Sequence, residues 1–216
     1  MLVAAAVCPH PPLLVPELAS GAASEMHDVR ERCQAAVKAL IATAPDLLAV
    51  IGADVGPRST SFAPWGADVR VDVPEPLPLP LLVGGWLTRG VVRSFVAVAP
   101  DLDPAECATL GAELATAANR VALLVMGDGS ARHTEKAPGY LDPRAAPYDV
   151  RIAAALGSAD TSALLALDPA EADDLLVAGR APWQVLAGAA QGGTLRPEGA
   201  LFAAPYGVGY HVVTWA

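Results

Sequence analysis

Cysteine is scarce in this chain of 216 residues: three are present, Cys8, Cys33 and Cys107, and none stands in a C-x-x-C pair. So sparse and odd a set excludes a disulfide framework and reads as buried thiols in a reducing compartment. Basic residues are also few. Fourteen Lys and Arg face 23 Asp and Glu, for a net charge of −9. They are scattered, and phosphate binding needs clustered cations to displace counterions, so nucleic acid is excluded as a partner. An acidic surface favours solubility without naming a partner. Apolar runs such as Leu47–Ile51 and Val121–Met126 fall far short of the roughly 20 residues a membrane helix needs. The apolar start, Leu2–Cys8, has no positive residues ahead of it and is cut off by His10-Pro11-Pro12, so it does not read as a signal peptide. Bulky Val7 before Cys8 argues equally against a lipoprotein signal. No phosphate-loop, dinucleotide or zinc-ligand spacing appears. The expectation is a soluble, cytoplasmic protein.

What is present suits one domain over residues 1–216. The apolar fraction is 53%, much of it alanine spread evenly, enough to bury a core without disulfides. Short apolar or β-branched runs read as strands at Leu2–Cys8, Leu47–Ile51, Val69–Val73, Ser94–Ala99 and Val121–Met126. Between the first two, Met26, Val29, Cys33, Val37, Leu40 and Ile41 share one helical face, which predicts a helix over 24–43 ended by Pro45. Asp103-Pro104-Ala105-Glu106 reads as a second helix start, with Asp as cap and Pro in the first turn, and the same letters recur at Asp168–Glu171. Pro74–Pro80, with proline at every second position, reads as an extended, exposed loop. The segment 200–215 reads as two strands joined at Pro205-Tyr206-Gly207-Val208-Gly209. Strand–helix alternation with fully apolar strands predicts an α/β fold, a mostly parallel mixed sheet covered by helices on both faces.

Ligands bind such sheets beyond the carboxyl ends of strands, and three unusual loops begin there. The first holds His10, fenced by prolines; a rigid imidazole suits a metal ligand or a general base. The second holds Asp54 in Gly52-Ala53-Asp54-Val55-Gly56, where a carboxylate could bind metal, orient a histidine or simply form a turn. The third, Gly127-Asp128-Gly129-Ser130, could cradle an anion on its amides or be a plain turn. It runs on through His133 to about Tyr148, long for a mere connector. His133 lies in a charged stretch that reads as solvated, His211 reads as a satisfied strand histidine, and His27 sits on a polar helix face. Cys8 and His10 could form a nucleophile pair, but neighbours along a strand point to opposite faces.

Four segments together resemble the class III extradiol dioxygenases of the LigB type, including Memo-like proteins. They are Pro9-His10-Pro11-Pro12 through Glu17, Pro45 through Ile51, Gly127-Asp128-Gly129-Ser130 with Ala137–Tyr140 and Tyr148-Asp149, and Ala204 through Tyr210. The resemblance spans nearly the whole chain and implies a LigB-like α/β sheet with a ferrous site of two histidines and a carboxylate. On it, His10 matches the first iron histidine, Asp54 falls where the second is usual, and Ala131 falls at the acid/base histidine. The carboxylate expected near the C-terminus has no counterpart. A divergent member is therefore implied. It would hold a divalent metal through His10 and Asp54 (Fe2+ by family, Zn2+ or another if the site is rebuilt), or none.

Three readings of function stay open. One is a metal-dependent oxidoreductase of the extradiol type, with His10, Asp54 and His133 as catalytic candidates and Asp128, Ser130 and Tyr206 lining the ligand site. Another is a non-catalytic member that binds a small, aromatic molecule or a protein. The last is a metal-free enzyme using a His10–Asp54 pair. A homo-oligomer is compatible with all three.

Overall fold

The computed structural model describes residues 1–19, 21 and 24–216. Six strands form the main sheet: β1 (Leu2–Cys8), β2 (Leu47–Ala53), β5 (Ser94–Val98), β6 (Val121–Met126), β7 (Pro197–Ala203) and β8 (Tyr210–Trp215). Their order is β5-β2-β6-β1-β8-β7. The first four are parallel; β8 runs antiparallel to β1 and β7 antiparallel to β8. A separate ribbon pairs β3 (Arg58–Ser59) with β4 (Leu77–Pro78). The expected α/β architecture is the one observed.

Alternation along each strand divides the core into two layers. Ala4, Ala6, Cys8, Leu124 and Met126 face one layer; Ala5, Val7, Leu123 and Val125 face the other. The first is closed by α1 (Pro16–Ala19), α2 (His27–Ala42) and α3 (Leu79–Leu87), with Val29, Cys33, Val37 and Leu40 of α2 turned inward. The second is closed by α4 (Pro104–Thr116), α5 (Ala145–Ser158), α6 (Thr161–Leu165), α7 (Pro169–Asp174) and α8 (Arg180–Ala190). Helices on both faces bury parallel strands completely, hence the unbroken apolar runs. Asp103 and Asp168 cap α4 and α7 as expected, each accepting the amide two residues on. Where α4 crosses α8, a Cβ at Gly111 would lie 2.0 Å from the Val185 carbonyl oxygen and one at Gly188 would lie 2.3 Å from that of Ala108. Hydrogen alone allows the two backbones to meet there.

Two expectations are corrected. Residues 69–73 form no strand: Arg70 makes a single bridge to Ser61, because β5 already takes the edge beside β2, and Val71 instead packs over α3 against Gly85. Nor is 74–80 simply exposed loop. Leu77–Pro78 is β4, and Pro80 stands in the first turn of α3, where a missing amide costs nothing and the fixed φ already suits a helix. Among the described residues no helix is long and apolar enough to cross a membrane.

Candidate functional site

Because β1 and β6 are parallel neighbours with Cys8 opposite Met126, the residues two positions beyond each arrive side by side. Asp128 Oδ1 accepts the backbone amide of His10 at 2.7 Å and lies 3.5 Å from its Nδ1. That Nδ1 is enclosed and has no hydrogen-bond partner. Burial pushes the Asp128 carboxyl above its usual range, and the nearby His10 ring and amide oppose that shift only in part.

The reversed direction of β8 completes the site, since its first residues lie at the same edge as the last residues of β1 and β6. The loop after β6 pairs with the turn before β8: Gly129 donates to the Gly209 carbonyl at 2.7 Å, Gly209 to Ser130 at 2.9 Å and His133 to Gly207 at 3.1 Å. This pairing draws His133 and His211 toward Asp149 on α5. Asp149 is fully buried. Its Oδ2 lies 2.6 Å from His133 Nε2 and 3.0 Å from the Ser130 amide, and its Oδ1 lies 3.0 Å from His211 Nε2. A carboxylate can only accept, so each ring presents an Nε2–H to it, and a neutral ring keeps Nδ1 as an acceptor. Gly129 and Gly209 make room for this arrangement: a Cβ on either would lie 2.2 Å from an Asp149 oxygen. Phe202 of β7 spans the two imidazoles, its centroid 6.0 Å from His133 and 4.9 Å from His211. Trp183 of α8 meets the His211 ring edge-on at 5.7 Å.

The predicted residues therefore divide. His10 and Asp128 come together, and His133 joins a cluster of its own with Asp149. Ser130 is buried and serves the loop: its amide goes to Asp149 and its hydroxyl donates to the Leu175 carbonyl at 2.9 Å. Tyr206 lines an open cleft of about 540 Å³ with Thr134, Lys136 and Gly207. Asp54 is the correction. β6 stands between β1 and β2, so His10 and Asp54 leave strands about 10 Å apart. Asp54 is instead engaged by Arg58 at 2.6 Å on the exposed surface.

The ferrous site implied by the resemblance is not matched by these side chains. Asp54 is paired with Arg58 at the surface, while His10 sits beside Asp128, two strands away. His10 Nδ1 and Asp128 Oδ1 face each other, yet among the described residues no three His, Cys, Asp or Glu side chains converge to hold a metal ion. What the cluster can do is move protons. His133, with its side chain 10% exposed, couples an outward imidazole to an enclosed carboxylate.

Sequence reasoning names Asp149 only within the resemblance and reads His211 as a satisfied strand histidine, which its bond to Asp149 bears out; a further signal for Asp149 exists. It lies on the inward face of α5 among Ala145, Tyr148, Ile152, Ala155 and Leu156, where helical periodicity expects an apolar side chain. A carboxylate there must find partners or be expelled. No protein-family model matches this chain, and no curated protein matches it.

Proposed function

We propose that this protein is a metal-independent acid–base catalyst acting on a small aromatic molecule, a divergent relative of the LigB-type enzymes in which proton transfer has replaced iron chemistry. The observation that carries the reading is the 2.6 Å bond between Asp149 and His133. A buried carboxylate fixes the tautomer and direction of the ring and stabilises it once protonated, as an orienting acid does for a general base. His133 Nδ1 is then the group that takes a proton from substrate and returns it. Asp149 is a positioning residue, and His211 with the Ser130 amide holds it in place. Phe202 beside both rings supplies an aromatic face suited to a planar substrate. His10 and Asp128 form a second imidazole–carboxylate contact at the neighbouring strand ends. The three free, buried cysteines fit a cytoplasmic setting.

The test is exchange of carbon-bound hydrogen for solvent deuterium in a panel of enolisable aryl ketones and phenols, followed by NMR with untagged, chelator-treated protein. Exchange that chelator leaves intact and His133→Ala abolishes is expected. Exchange that needs added metal, or that persists in His133→Ala, overturns the reading.

A further inference from the structure

Beside His211 the second core layer is incomplete. A cavity of about 250 Å³ opens between α5 and the β7–β8 hairpin, lined by Ala153, Leu156, Gly157, Leu201, His211 and Val213 among others. It exists because α5 presents Ala153 and Gly157, one turn apart, where larger side chains would reach β7. A Cβ at Gly157 would meet nothing within 4 Å. The lining is apolar except for one imidazole, and that imidazole is only 2% exposed. Gly157, Ala200 and Phe202 at its rim are exposed, so it is a cleft open to solvent, with room for a substituted ring.

The polar demand of the cavity follows from the far side of the same ring. His211 donates its Nε2–H to Asp149 at 3.0 Å, so the neutral ring keeps Nδ1 as its acceptor. No hydrogen bond uses Nδ1, and it is not among the polar atoms sealed without a partner. The ring itself is held between Trp183, edge-on at 5.7 Å, and Phe202, tilted at 4.9 Å, so it cannot swing to offer a donor instead. An apolar cleft with one fixed acceptor selects an apolar molecule with one donor, because a ligand that covers the acceptor without matching it leaves it unsatisfied.

We propose that this cavity is a binding site for a small apolar molecule bearing a single hydrogen-bond donor, a monohydric phenol being the simplest of the class. The site adjoins the one read for His133: Phe202 borders both, and both imidazoles bond Asp149. The experiment titrates the intact protein with phenol and with toluene, which matches it in size and lacks the donor, following calorimetry and the His211 and His133 imidazole resonances. Phenol should bind five- to tenfold more tightly than toluene and shift His211 Nδ1 further than it shifts His133. Gly157→Leu, which fills the mouth from a position with free space around its Cβ, should keep the fold and lose binding of both probes. His211→Phe should erase the preference of phenol over toluene. Equal affinity of the two probes in the natural protein overturns the donor match. Failure of both to bind, or binding that survives Gly157→Leu, overturns the site. Neither result bears on His133, whose deuterium exchange is read independently.

Discussion

Asp149 Oδ1 occupies the space where a side chain on Gly129 would begin, 2.2 Å from the position of its Cβ. The loop after β6 and the helix α5 are thus fitted to each other at the carboxylate that meets His211 through this oxygen and His133 through the other. Gly129→Ala should force Asp149 aside and cost about 1–3 kcal/mol in urea unfolding, as overpacking of a filled interior does. It should also loosen the His133 bond, seen as a change in the His133 Nε2 resonance. A variant as stable as the natural protein would mean the loop yields freely.

Asp149→Asn keeps the shape and removes the charge. An amide offers one acceptor oxygen to the two ring protons and the Ser130 amide now served by two, and its NH2 confronts a donor. A stability loss of about 1–3 kcal/mol should follow. In the exchange assay a drop of about 10²–10⁴ is expected, the usual worth of a positioned base. The loss should sit in kcat with KM little changed, since Asp149 acts through His133.

Asp128 yields a prediction with a definite sign. Burial makes it hold its proton more tightly in the folded protein than in the unfolded chain, so its ionisation opposes folding. That opposition is absent below the ordinary carboxyl value of 3.8, grows as pH rises and is complete once pH passes the raised folded value. Asp128→Asn never ionises. The stability of the natural protein minus that of the variant should fall as pH climbs from about 3.8 and then level off. Thermal melts of both proteins across that window measure it, and a difference that rises with pH would contradict the burial effect.

Anaerobic reconstitution with ferrous iron, followed by oxygen and a panel of catechols, should give no ring cleavage at a rate typical of extradiol enzymes. That chemistry needs iron to hold substrate and dioxygen together, and Asp54 is spent on Arg58 across an intervening strand. Robust turnover lost in His10→Ala would disprove this.

The sheet was legible because buried parallel strands leave unbroken apolar runs, and β1, β2, β5 and β6 stand close to where those runs lie. Helix α3 was hidden by its prolines: alternate prolines imitate an extended chain, and only the buried stretch after Pro80 reveals a helix. His10 and Asp128 could be placed at strand ends from local pattern alone. The strand between His10 and Asp54 could not, since strand order depends on crossovers that no local pattern encodes. His211 is legible as a satisfied strand histidine, and its buried bond to Asp149 agrees. Which carboxylate satisfies it depends on how the loop after β6 meets the turn before β8.

The contact between α4 and α8 reaches further than the packing of two helices. The amide of Gly179, just ahead of α8, donates to the carbonyl of Asp128 at 2.9 Å, and Asp128 in turn holds the amide of His10. Helix, loop and imidazole are therefore joined by consecutive hydrogen bonds, and the seating of α8 on α4 at the bare α-carbons of Gly111 and Gly188 fixes where that chain begins.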